Sequence, residues 1–139
     1  MRGSLSRARL LVLALAAALA VAMTASSALA NSATTSANGA AVTASLSPDS
    51  VSKSQTVTQT ATVKNISGSS ESLAVQISGP LSTSAPTVFF VKLAPNATFS
   101  KSLSFSAGLL SQGTHRLTVT AVNRETQAAT RATASITVT

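Results

Sequence analysis

From Ala41 onward, apolar residues recur at every second position, and that period excludes most folds before composition is considered. A β-strand turns successive side chains to opposite faces, so alternation means one face buried and one solvated. No stretch of useful length carries the three-and-four spacing of an amphipathic helix, which rules out parallel βαβ units. Ala41–Ser47 reads as a first strand, closed by Ser47-Pro48-Asp49-Ser50. Gln55–Lys64 sets Val57, Ala61 and Val63 against Thr56, Thr58, Thr60 and Thr62, and Asn65–Ser70 breaks it. Ser72–Ser78 groups Leu73, Val75 and Ile77 before Gly79-Pro80, and Thr87–Leu93 follows a Ser/Thr/Pro loop and stops at Ala94-Pro95-Asn96. Thr98–Phe105 groups Phe99, Leu103 and Phe105, with Lys101 as a misfit in the same phase, which a bulge, an edge position or a snorkelling side chain relieves. Gly113–Asn123 groups His115, Leu117, Val119 and Ala121, and Ala128–Val138 groups Ala132, Ala134, Ile136 and Val138. Seven one-sided strands are most economically buried as two antiparallel sheets packed face to face, with a small closed barrel as the runner-up. The expected fold class is therefore an all-β, seven-stranded antiparallel sandwich.

The first thirty residues obey a different rule. Arg2, Arg7 and Arg9 precede the apolar run Leu10–Met23, and a more polar stretch ends in Ala28-Leu29-Ala30. This is the order of a secretory signal peptide with a small-x-small cleavage site. The run is shorter than the roughly twenty residues of a spanning helix, which disfavours an uncleaved anchor. Residues 1–30 are therefore expected to be removed, and no membrane span should remain. The mature protein is then secreted, periplasmic or extracellular. Protein recovered from the native medium should have an intact mass that starts at Asn31, and retention of Met1 would refute export by cleavage. Residues 31–40, NSATTSANGA, are small, polar and patternless, and are expected to form a disordered leader ahead of one domain at 41–139.

That domain has to stand without covalent staples, because the chain contains no cysteine. A domain of this length buries about two-thirds of its unfolded surface, which suffices for a core. Cysteine-free exported domains are a bacterial habit, and the source is expected to be bacterial. The formal charge of +7 overstates the basicity of the mature chain, because Arg2, Arg7 and Arg9 leave with the signal. Lys53, Lys64, Lys92, Lys101, Arg116, Arg124 and Arg131 remain, scattered, against Asp49, Glu71 and Glu125. With no run of cations, no Trp, no Tyr and four Phe, the chain lacks the clustered charge and stacking platforms of a nucleic-acid binder. Charged residues are 9% of the chain, against about 25% in an average protein, and Ser and Thr fill the surface instead.

Several segments resemble known families. Gly113–Asn123 (GTHRLTVTAVN) resembles the sixth strand of fibronectin type III and related bacterial immunoglobulin-like domains, which usually carry Tyr where this chain has His115. Val57–Asn65 (VTQTATVKN, leading into ISG) resembles the second strand and turn of bacterial cell-adhesion-related domains. Lys92–Thr98 (KLAPNAT) resembles the L-x-P-G-x-T turn before their fifth strand. The likeness extends over most of 41–139, although the core Trp and corner Tyr of fibronectin type III domains are missing. It implies an immunoglobulin-like sandwich and the spacer, adhesion or binding-accessory roles such domains take.

The residues for chemistry are sparse. His115 is the single imidazole, and the acids Asp49, Glu71 and Glu125 lie in three separate turn regions. No nucleophile elbow, zinc-protease motif or Walker loop occurs, so no catalytic residue, metal site or cofactor is expected. His115 reads as a partly buried imidazole bonded to a nearby backbone carbonyl, in the manner of a corner Tyr. The sequons Asn65-Ile66-Ser67 and Asn96-Ala97-Thr98 both fall in expected turns and read as chance in a bacterium. The Thr56–Thr62 ladder reads as a solvated strand face, because one ladder makes no lattice.

Phe89-Phe90 is more telling. With Phe89, Val91 and Leu93 inward, Val88 and Phe90 point outward beside Lys92, either as an interface patch or under the loop at 81–86. Val88 and Phe90 are thus the candidate interface residues. The expected function is non-catalytic, either protein contact and adhesion at the cell envelope or a structural role. A carbohydrate-binding accessory module is the alternative, disfavoured because no Trp or Tyr offers a sugar platform.

Overall fold

A computed structural model describes residues 31–81 and 86–139. The expected signal peptide and most of the loop before Thr87 lie outside the described residues. Among the described residues there are nine strands: β1 (Ser32–Ala37), β2 (Ala40–Ser47), β3 (Ser50–Val51), β4 (Thr56–Asn65), β5 (Glu71–Ser78), β6 (Thr87–Leu93), β7 (Thr98–Ser106), β8 (Gly113–Asn123) and β9 (Ala129–Val138). A short 3-10 turn, Ala107–Leu109, joins β7 to the loop before β8. The strands form two sheets, ordered β1-β2-β4-β7 and β3-β9-β8-β5-β6. The fold is an immunoglobulin-like sandwich, and the seven long strands read from the alternation are all there.

The inner faces are those that the period predicts. Val42, Ala44, Leu46, Val57, Ala61 and Val63 of the first sheet meet Leu73, Val75, Ile77, Leu117, Val119, Ala134 and Ile136 of the second, all buried. The register is fixed by this burial, because a slip of one residue would turn every Val and Leu outward. Within the second sheet, Leu73 pairs with Asn123, Val75 with Ala121 and Ile77 with Val119.

Two expectations need correction. Residues 32–37 are a strand, not a disordered leader: β1 pairs antiparallel with β2 from Ser32↔Ser45 to Ala37↔Ala40. The device is the two-residue turn Asn38-Gly39, whose φ values of 53° and 79° match the twist of a hairpin. Alanine and threonine carry little apolar signal, yet Ala33, Thr35 and Ala37 are half-buried. The hairpin is fastened to β9, where Asn38 Nδ2 donates to the Ala129 carbonyl (3.2 Å) and Thr130 Oγ1 to that of Ala37 (3.0 Å). The sandwich is also not wholly antiparallel. The two-residue β3 pairs parallel with β9, Ser50↔Thr137 and Val51↔Val138, and is too short to leave a periodicity.

Both sheets end on the same side of the molecule, with β6 as one edge and β7 as the other. That resolves the misfit of Lys101. It lies on an edge strand, is exposed, and keeps the phase of Phe99 and Phe105 without entering the core.

Candidate functional site

The alternation along β6 sends its side chains to two places. Phe89 and Val91 face inward and are half-buried, and Leu93 is buried. Val88 and Phe90 face outward, 40% and 66% exposed. The structure thus places both candidate interface residues on the outer face of the second sheet. Phe90 stands opposite Ala74, Ala74 opposite Val122, and Val122 opposite Ala129, so an apolar row crosses four strands. In the next row, Val88 is opposite Gln76, Gln76 opposite Thr120, and Thr120 opposite Arg131.

Cations frame this row. The Arg124 guanidinium lies 4.7 Å from the centre of the Phe90 ring, within cation–π range. Arg131 lies along the sheet, its Nε donating to Thr120 Oγ1 at 3.3 Å, and thereby covers that threonine. Lys92 continues the outward phase of β6, and Arg116 that of β8. Charges scattered in sequence are gathered on one face because four strands contribute their outward positions to it.

Behind β6 the sandwich opens. Between the two edges lies a cleft of about 210 Å³, lined by Ala61, Ile77, Phe89 and Leu103 with Gln59 and Lys101 among them. Leu103 shares the inward phase of β7 but is 50% exposed, because among the described residues β7 has a strand, β4, on one side only. Phe89 and Phe99 pack ring to ring at 5.5 Å, and Lys101 Nζ lies 5.3 Å from the Phe89 ring centre. Gln59 is a polar residue in the buried phase of Val57 and Ala61, a signal present in the sequence. Its Oε1 is buried and has no hydrogen-bond partner.

The outer face of the first sheet has the opposite character. The row Thr34, Thr43, Thr62, Ser100 crosses four strands, as does the row Ser32, Ser45, Thr60, Ser102. The threonine ladder of β4 is therefore one column of a hydroxyl array. Its members bond one another, with Thr58–Ser104 at 2.9 Å, Thr60–Ser102 at 3.0 Å and Thr34–Thr43 at 2.9 Å. Adjacent strands rotate by about 20–25°, so the array is not planar and a rigid lattice has nothing flat to match.

The remaining candidates resolve locally. His115 is half-buried and its Nε2 donates to the Ser111 carbonyl at 2.7 Å, the structural role expected of it. Asn65 corrects the reading of the first sequon as a turn. It ends β4, is fully buried, and its Nδ2 donates to the carbonyls of Ser69 and Leu93 at 2.8 and 2.9 Å, which leaves no room for a glycan. Glu71 accepts from the Ser69 hydroxyl and from Asn123 Nδ2, so its carboxylate is spent on the turn. Among the described residues no group of three or more His, Cys, Asp or Glu is placed to hold a metal ion.

No family model and no curated protein matches the sequence. Among solved structures, the chain is similar to a CARDB domain, a cell-adhesion-related immunoglobulin-like type, from Pyrococcus furiosus, which was solved in complex with di-metal ions. The identity is 20% over 66% of this chain and 81% of that one, with a TM-score of 0.53. This likeness shows the fold. A β-glucosidase from Listeria innocua (17% identity, 68% of this chain, 15% of that one, TM-score 0.37) and a Pseudomonas fluorescens alkylpurine DNA glycosylase (13%, 68% and 28%, 0.44) are more distant and carry no argument.

Proposed function

We propose that this domain is an exported, non-catalytic contact module that meets another protein at the cell envelope through the outer face of β6, β5 and β8. The observation that carries the reading is Phe90, a large apolar side chain 66% exposed at the head of an apolar row and flanked by Arg124. Aromatic and arginine side chains are the residues that most often dominate binding energy at protein interfaces. Export rests on the Arg-flanked Leu10–Met23 run and the Ala28-Leu29-Ala30 end.

Phe90→Ser tests the assignment. Stability should change by no more than about 0.5 kcal/mol, as for an ordinary surface substitution. Capture of cross-linked envelope proteins should weaken by about tenfold or more, as for loss of an interface anchor. A large fall in the unfolding midpoint would show that Phe90 is part of the core and remove the contact face. Saturable binding to a glycan array, with no protein captured, would replace protein contact with the carbohydrate reading.

A further inference from the structure

The two edges of the sandwich are not equally defended. An exposed edge strand invites another chain to pair with it, and proteins commonly block this with a charged side chain in the inward phase. β7 carries that device in Lys101. The inward positions of β6 are Phe89 and Val91, and its sequence, TVFFVKL, is strongly β-forming. Among the described residues, β6 has β5 on one side and no strand on the other.

A strand laid against the free edge of β6 would point alternate side chains in two directions. One set would enter the cleft beside Phe89 and Leu103, where 210 Å³ of mostly apolar space lies open. The other set would lie beside Val88 and Phe90, next to Lys92 and Arg124. The seam is net basic. Glu71 is engaged by Ser69 and Asn123, Asp49 lies in the β2–β3 turn, the cleft lining contains no carboxylate, and Glu125, the neighbour of Arg124 in the β8–β9 turn, leaves Lys92, Lys101 and Arg124 in excess. A second copy of the chain would bring Lys92, Arg124 and Lys101 of both molecules to one seam, where like charges oppose pairing.

We propose, resting on the contact reading above, that β6 is the acceptor edge for strand addition. The added strand is an extended partner segment with apolar side chains toward the cleft and acidic side chains outward, opposite Lys92 and Arg124. Backbone hydrogen bonds supply affinity and the alternating side chains supply selectivity, as in other β-augmentation.

The probe is a blocked nonapeptide alternating valine and glutamate, compared with its valine–lysine counterpart. The glutamate peptide should bind saturably, more weakly as salt rises, and should slow exchange of β6 amide protons. The double variant Lys92→Glu, Arg124→Glu should reverse the preference, with the glutamate peptide losing about tenfold or more and the lysine peptide gaining. Alternate residues of a strand direct their N–H groups to one neighbour. N-methylation of one alternate set should therefore abolish binding, while methylation of the other should not.

Equal binding of both peptides, or tolerance of methylation at either set, would overturn strand addition. So would a β6-mediated dimer in sedimentation, or binding to phosphatidylglycerol vesicles but to neither peptide. If neither peptide binds while Phe90→Ser still weakens capture of envelope proteins, strand addition falls and the contact face stands. If both fail, the contact reading falls as well.

Discussion

Leu117→Asp should abolish the folded state, and Thr118→Asp, one residue along the same strand, should leave it intact. Leu117 is fully buried between the sheets, opposite Ala134 in β9. A carboxylate there has no partner, and its burial costs on the order of 5 kcal/mol, comparable with the about 5–15 kcal/mol that stabilise a whole domain. No disulfide supplements that margin, since the chain has no cysteine. Thr118 points to the outer face, where its hydroxyl bonds that of Thr133, and the nearest charges in its phase are Arg116 and, in β9, Arg131. An aspartate there should change stability by no more than about 0.5 kcal/mol. Chemical denaturation of the two variants side by side checks the phase of β8, and similar behaviour would refute it.

The second large effect is expected at Asn65, the only fully buried polar side chain among the largest fully buried ones of the described residues. Its amide closes four bonds. Nδ2 donates to the Ser69 and Leu93 carbonyls, and Oδ1 accepts from the Ser67 N–H at 2.8 Å and the Ser67 hydroxyl at 2.7 Å. Its backbone adds two more, to Ala97 and from Asn96. One side chain thus ties the end of β4 to the end of β6 and to the turn before β5. Asn65→Ala leaves the buried Leu93 carbonyl and the part-buried groups of Ser67 and Ser69 without this partner, and unfolding should become easier by about 2–4 kcal/mol. Asn65→Gln, with the same groups on a longer stem, should not restore them. Denaturation midpoints for the two variants provide the check, and wild-type stability in Asn65→Ala would show that the network is dispensable.

Alternation made the fold legible because each sheet buries one face, and a β-branched or Leu residue at every second position records which. Strands β6 and β8 begin and end where the sequence places them, Thr87–Leu93 and Gly113–Asn123. β1 was hidden because its half-buried positions are Ala and Thr, whose transfer energies barely differ from those of a loop; the Asn38-Gly39 turn was its readable sign. The outward pair Val88 and Phe90 followed from phase alone. The cations beside it did not, since Lys92, Arg116, Arg124 and Arg131 become neighbours only through the strand order β9-β8-β5-β6. The cleft was illegible for a related reason: it exists because two edges lie on one side, and edge status is a property of topology.

Hydroxyls rather than charges make the outer face of the first sheet polar. Most proteins stay dissolved through surface charge, and they precipitate most readily where acid or alkali brings that charge to zero. Serine and threonine hydroxyls do not ionise between those extremes. Four strands of them, with Lys64 as the one cation in the β4 column, give this face a polarity that owes little to ionised groups. A rise in ionic strength therefore acts mainly on the opposite face, where it screens Lys92, Arg116, Arg124 and Arg131, while the hydroxyl face has little charge to screen.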